Sequence, residues 1–405
     1  MVKINGVSIM FVGLNGAMII NLPTLTAGRS LYLSSGFVGA FVALFVCCFI
    51  FYILSSTMMS LSFNDKAGTF EIAETFFGKK GATFCACVIS MVFCVWCVLQ
   101  LVVIKDFFQQ IPFFCDRQIN KIRHFDLLFF LFFAVVALLG RMWLFVTAYI
   151  LVPTVIFLEL SILFFSREVQ EIVEGSSASF FNLLDLSVIE PLLSGLSATI
   201  LVTPALCRSV VTRKDTIKNL KIVYLILLPF SSGIGIVLGS YLPFSDFFPY
   251  GLCYNQKTLI ITALYMFISG CTINTMNIYF AVNSLTYIIK KKNRILPIFV
   301  VSGICLLLTH LKPFLAQIIE FLNSMLASIL TIIVVRSAKK LRFGGGLNRN
   351  DNVFVLAVSV VAVFLCSLGY IEVTGTPFFD TMVLSTVLCL YFSTISNKQR
   401  IVFDE

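Results

Sequence analysis

The chain has 405 residues, 59% of them hydrophobic and only 12% charged, with 43 phenylalanines. Soluble domains are nearer 25% charged, so composition excludes an ordinary soluble domain and predicts a polytopic helical membrane protein. The net charge of +9 would suit nucleic acid if it were clustered, but its spread over loops, set out below, argues for topology instead.

A helix needs roughly 20 residues to cross about 30 Å of hydrocarbon. Twelve apolar runs are candidates: 7–28, 36–61, 82–105, 125–141, 143–165, 186–208, 221–242, 258–289, 294–311, 313–335, 353–371 and 377–395. The first follows a single lysine, with no small-residue cleavage site behind it, and reads as a retained span and not a signal peptide. It contains Gly13, Asn15, Gly16 and Pro23, all unfavourable to an unbroken helix. Free backbone groups in hydrocarbon cost several kcal/mol each unless they face protein or a water-filled cavity. A break around Asn15-Gly16-Ala17 is therefore expected to wall a transport site. Further on, residues 126–165 are too long for one span, and Gly140-Arg141 between them suits a tight hairpin.

The basic residues test this layout. With the N-terminus inside, 21 of the 29 lysines and arginines fall in inner loops and eight in outer loops, as the positive-inside rule requires. Omitting one span would invert every later loop and destroy the bias. Twelve spans with both termini cytoplasmic is the expected topology of an integral, multi-pass protein of a plasma or inner membrane.

Span six answers span one. It holds Ser194-Gly195 at its middle and Pro204 beyond, as span one holds Gly16 and then Pro23. Two broken spans five helices apart and oppositely directed form the pattern of an inverted five-plus-five repeat with a midplane site. Residues 1–349 would make the ten-helix core, and 350–405 two accessory helices with a tail.

At this point the residues resemble a family. Gly13-Leu-Asn-Gly-Ala-Met-Ile-Ile-Asn-Leu-Pro-Thr-Leu-Thr-Ala27 is similar to the first span of permeases of the amino acid–polyamine–organocation superfamily. Residues 67–81, ending Phe77-Gly-Lys-Lys-Gly81, look like the loop those proteins carry between spans two and three. Gly140-Arg-Met-Trp143 lies where they join spans four and five. The resemblance implies a LeuT-type fold and secondary active transport. Asn15-Gly16-Ala17 departs from the family's Gly-x-Gly at the break. Parts also look like the permease-type subunits of spore germinant receptors, which share the fold.

The half-helix after the span-one break would present N–H groups and a positive dipole end, which suit a carboxylate. The half-helix ending near Ser194 would present carbonyls, which suit an ammonium group. Together they favour a zwitterion, hence an amino acid with a neutral or aromatic side chain; a nucleobase could use the same backbone groups. Trp96 and Gln100 of span three are further substrate candidates, Trp96 by stacking, beside Ser194, Gly195 and Asn274. Trp96 reads equally as a packing residue between helices.

Span eight is crowded with Ser269, Thr272, Asn274, Thr275 and Asn277. The resemblance implies a sodium ion between the first break, at Gly13, and Thr272 and Thr275; such side chains also glue helices together in membranes. Glu159, Glu190 and Glu320 lie inside predicted spans, where carboxylates face a cavity or a partner. Glu159 and Glu320 are the candidate proton carriers, while Glu190 beside Pro191 reads as a helix-start residue. No cofactor is expected beyond a coupling ion, proton or sodium. The expected partners are a small-molecule substrate and the lipid bilayer, with no nucleic acid.

Most of the 13 cysteines sit in apolar runs and act as small hydrophobes. Cys94 and Cys97 have a CxxC spacing without a histidine or carboxylate partner. Cys115 and Cys253 share the expected outer side and could pair. No loop carries a nucleophile with a base, so an enzyme is not expected.

Overall fold

A computed structural model describes residues 3–4, 7–65, 67–110, 125–166, 186–207, 212–241, 256–290, 294–343 and 349–404. The possible Cys115–Cys253 pair lies outside them. A two-stranded hairpin pairs Lys3 with Ser8 and Ile4 with Val7. The helices that follow are α1 (Ile9–Ile19), α2 (Leu22–Asp65), α3 (Thr69–Gln110), α4 (Phe125–Leu139), α5 (141–166), α6 (Leu186–Cys207), α7 (213–241), α8 (Gln256–Ile289), α9 (Ile295–Thr309), α10 (Leu315–Phe343), α11 (Arg349–Ser367) and α12 (Pro377–Asp404). Helices α5 and α7 each contain one π turn, Thr147–Leu151 and Val223–Leu227. Among the described residues, seven helices are long and apolar enough to cross a membrane, and five are apolar but shorter.

The breaks fall where backbone chemistry demands them. Helix α2 is two helices meeting at Gly36, whose φ of 69° lies in the left-handed region that only glycine enters without strain. Gly78, with φ 67°, does the same inside α3, so residues 69–77 form a short helix of their own. The expected hairpin at Gly140 is present: φ is 54°, and the Gly140 carbonyl accepts from Leu144 N–H to start α5.

The surface, more than the apolar core, sets the molecule apart from a soluble protein. Large apolar side chains such as Phe45, Phe49, Phe157, Phe164, Phe299 and Leu307 are exposed, while Asn15, Asn21, Glu159, Ser231, Thr272 and Asn274 are fully buried. Hydrocarbon solvates the first group; the second must find partners inside. Helix α2 packs along α7 and α6, α8 along α3 and α5, and α10, α11 and α12 pack on one another.

Two expected breaks are corrected. The span-one break is at Ile20-Asn21, not at Asn15-Gly16-Ala17, which lie within α1. Ile20 has ψ 87°, and its N–H still bonds the Gly16 carbonyl, so α1 closes its last turn normally. Pro23 decides the position. With its fixed φ it fits the first turn of a new helix, and Asn21 caps that turn. Span six is continuous through Ser194-Gly195, with Pro191 and Pro204 inside it; the Ser194 carbonyl accepts from the Ser197 hydroxyl at 2.8 Å.

Candidate substrate site

A cavity of about 60 Å³ lies between the α1–α2 break, α3, α6 and α8. One water needs roughly 10–15 Å³, so the space takes a small solute. Its walls include Met18, Asn21, Pro23 and Thr24 from the break, Phe93 and Trp96 from α3, Gly195 and Thr199 from α6, and Ile273 and Asn277 from α8. No lining residue carries a formal charge.

Asn21 organises the break. Its Oδ1 accepts from Thr24 N–H and from Thr24 Oγ1, both at 3.2 Å. Side-chain oxygens at a helix start satisfy such orphan donors. Its amide Nδ2 is buried and has no partner, which leaves two N–H donors at the cavity wall. The other N–H groups that open α2 are occupied: Leu22 donates to Ser269 Oγ at 3.1 Å, and Leu25 to the Asn21 carbonyl at 3.1 Å. Pro23 has none. The expected anion site of free backbone donors is thus already filled by the protein.

Trp96 and Gly195 form one wall. A Cβ on Gly195 would stand 3.7 Å from the Trp96 ring, so glycine keeps that indole face open. Trp96 Nε1 is buried without a partner. Asn277 Nδ2 donates to Asn274 Oδ1 at 3.2 Å, and the Asn274 amide nitrogen is unpartnered. Asn274 thus supports Asn277 from outside the lining.

The remaining predicted residues are placed elsewhere. Gly13 lets α1 touch the π turn of α5: a Cβ there would collide with Ala148 backbone. Asn15 Nδ2 donates to the Phe11 carbonyl at 3.0 Å, within its own helix. Gly16 faces Val152 and Leu227, and Ala17 is fully buried outside the lining. Gln100 is buried one turn along α3 from Trp96, also outside it.

Thr272 and Thr275 donate to their own helix, to the carbonyls of Ile268 and Cys271 at 2.7 Å each. Thr275 also accepts from Trp143 Nε1 at 2.9 Å. The α8 hydroxyl that meets the break is Ser269. Glu320 is exposed on α10, so the expectation of a buried proton carrier does not hold there. Glu190 is partly buried and accepts from Phe378 N–H at 3.3 Å, tying α6 to α12. Glu159 is fully buried; Ser231 Oγ and Tyr265 OH donate to its Oε1 at 2.9 and 3.1 Å.

Neither a family model nor a curated relative matches the sequence. Solved structures do match. Mhp1, a nucleobase-cation-symport-1 family transporter in a closed conformation with bromovinylhydantoin bound, is similar with a TM-score of 0.67. The alignment covers 96% of this chain and 92% of Mhp1 at 13% identity. A variant of the manganese transporter of Eremococcus coleocola gives a TM-score of 0.52 at 11% identity, over 95% of this chain and 86% of that one. The same transporter with an aromatic bis-isothiourea compound gives 0.52 at 10%, over 97% and 94%.

The chain shares the fold of these solved structures. At these identities the likeness concerns the fold alone, and it does not single out amino acid permeases. What sequence reasoning missed is Asn21, Thr24, Phe93 and Thr199 at the cavity, and Ser231 and Tyr265 around Glu159. Asn21 carried a legible signal, as an Asn two residues before Pro23 and three before Thr24. The others lie on spans whose register no apolar pattern fixes.

Proposed function

We propose that this protein is a secondary active transporter for a small, neutral, planar solute of the nucleobase class, coupled to a proton or sodium gradient. It would work in a plasma or inner membrane with both termini cytoplasmic. The observation that carries this reading is the cavity itself: uncharged, walled by Phe93 and Trp96, and edged by the unpartnered Asn21 amide. An aromatic face takes a flat ring by stacking. An unpaired buried amide costs about 1–3 kcal/mol until a ligand carbonyl accepts from it.

A zwitterion fits this site less well. Its carboxylate would find the backbone donors already occupied by Ser269 and Asn21, leaving it the neutral Asn21 amide, and its ammonium would need carbonyls that the continuous α6 does not free. Manganese fits less well again, since the described lining has no carboxylate, thiol or imidazole to hold a divalent ion. The description of Mhp1 as a nucleobase-cation-symport-1 family transporter supports the same substrate class.

The test is uptake into proteoliposomes of labelled uracil, hypoxanthine and a pooled amino acid panel, under separately imposed proton and sodium gradients. Gradient-driven accumulation of a base is expected. Accumulation of an amino acid instead would overturn the substrate class. Binding without accumulation of anything would overturn transport and favour a ligand-sensing subunit.

A further inference from the structure

Glu159 sits where a structural residue should not. An ionised carboxylate in hydrocarbon costs at least a few kcal/mol unless it is paired or faces water, and buried carboxylates usually find a full set of partners. Glu159 on α5 is fully buried, and both its donors, Ser231 from α7 and Tyr265 from α8, converge on Oε1. Oε2 has no hydrogen-bond partner. Among the described residues no lysine or arginine pairs with it, and Tyr265 is the titratable side chain that meets it from α7 or α8. As an anion it lacks a donor at Oε2; as an acid it lacks an acceptor for an Oε2 proton. Neither state is fully satisfied, which suits a group that must change state.

Both donors lead to the α1–α2 break. Ser232, the next residue to Ser231 on α7, donates from Oγ to the Thr24 carbonyl at 3.3 Å. Ser269 lies one turn along α8 from Tyr265 and accepts the Leu22 N–H at 3.1 Å. Glu159 is therefore tied to the first turn of α2 by two arms, one through α7 and one through α8. That turn carries Asn21, Pro23 and Thr24, which wall the cavity.

We propose that Glu159 is a proton-binding site whose load is read out at the substrate cavity through Ser231–Ser232 on α7 and Tyr265–Ser269 on α8. The inference rests on the transporter reading above and names its coupling ion. The step is simple. A proton adds to Oε2 and later leaves the same atom, making and breaking one O–H bond. Loading removes the negative charge that holds the Ser231 and Tyr265 hydroxyls toward Oε1, which frees α7 and α8 to shift against the start of α2.

The experiment uses the full chain in liposomes with no solute added. Its failure is thereby distinct from failure of the nucleobase reading, which uptake reports. Infrared spectra over a pH series would follow the carboxylic C=O band. Separately, Trp143→Phe leaves Trp96 as the one tryptophan of the chain's two, and its emission reports on the cavity wall.

We expect a carboxyl band that titrates in the parent and is lost in Glu159→Gln. Trp96 emission should titrate with the same midpoint and become flat in Glu159→Gln. In Ser232→Ala/Ser269→Ala the band should remain while the Trp96 response falls. Persistence of the whole band in Glu159→Gln overturns the site, and a Trp96 response unchanged in Glu159→Gln overturns the readout. Should Glu159→Gln fail to fold, Tyr265→Phe keeps the carboxyl and removes one donor. It should change the proton affinity read from the band about tenfold; an unchanged affinity overturns the proposal.

Discussion

Gly235 of α7 sits directly over the Leu25 carbonyl of α2, with no room between them for a Cβ. The contact is reciprocal three residues along each helix, since Gly28 of α2 has the same relation to the Ser232 backbone. Small residues that let helix backbones touch are the usual device for association in lipid, where the hydrophobic effect contributes little between helices. Here the device holds α7 against the first turns of α2, the part of α2 that walls the cavity. We predict that Gly235→Ala, and Gly28→Ala likewise, costs about 1–3 kcal/mol by overpacking. Gly303→Ala, where a Cβ meets nothing within 4 Å, should be neutral or stabilising by up to about 1 kcal/mol. Thermal melts in detergent would decide. Equal melting temperatures for all three would show that α2 and α7 separate freely.

Asn21 has two jobs that one substitution separates. Its Oδ1 caps α2 through Thr24, while its Nδ2 is left for the cavity. Asn21→Asp keeps the cap and adds favourable charge at a helix N-terminus, but replaces the N–H donors with an acceptor. Asn21→Ala removes both. The expected result is retained stability but lost solute binding in Asn21→Asp. Asn21→Ala should lose binding together with roughly 1 kcal/mol of stability. Nucleobase binding by Asn21→Asp at parental affinity would show that the amide is not a ligand group.

The membrane class and the order of the helices along the chain were legible because long apolar runs and turn glycines are local signals. Gly140 and the Pro23 region announce themselves without knowledge of neighbours. The exact break was not legible, because two local rules compete over residues 13–23. Glycine count places the break at Gly13-Gly16, whereas helix-start chemistry places it at Asn21-Leu22-Pro23. Packing decides: Gly13 and Gly16 are needed where α1 touches Ala148 and Val152 of α5. The site polar residues were legible as a class only. Span eight was visibly polar, yet which hydroxyl met the break depended on rotation about the helix axis. Ser269 and Thr272 differ by three residues, about 300° of turn, and only tertiary contacts select between them.

Trp96 and Gly195 make a further prediction by volume. A methyl on Gly195 would touch the indole at ordinary contact distance, 3.7 and 3.8 Å. Gly195→Ala should therefore fold and bind solute with an affinity reduced less than about tenfold. Gly195→Val places two more carbons against the ring in a cavity of about 60 Å³, and should abolish binding with little change in melting temperature. Binding titrations with uracil or hypoxanthine, beside thermal melts, would check both. Unimpaired binding by Gly195→Val would put the solute elsewhere than on the Trp96 face.

Helices α11 and α12 are more than an appendage, because buried polar atoms tie α12 to α10 and α11 to α3. Ser385 on α12 bonds Ser328 on α10 and Ser359 on α11, both at 3.1 Å, and all three serines are fully or almost fully buried. Asn352 on α11 donates to the Phe76 carbonyl at 3.0 Å, beside the Gly78 break in α3. Interhelical hydrogen bonds of this kind contribute on the order of 0.6 kcal/mol each in a membrane, with a maximum near 1.7. Ser385→Ala breaks two at once and leaves Ser328 and Ser359 with one partner fewer. The expected loss is about 1–2 kcal/mol, while Ser385→Thr, which keeps the hydroxyl, should recover part of it. Removal of residues 350–405 should cost much more, since it exposes the α10 face that both helices cover. Thermal melts of the three variants would settle the matter: a truncated chain that melts with the parent would make α11 and α12 dispensable to the core.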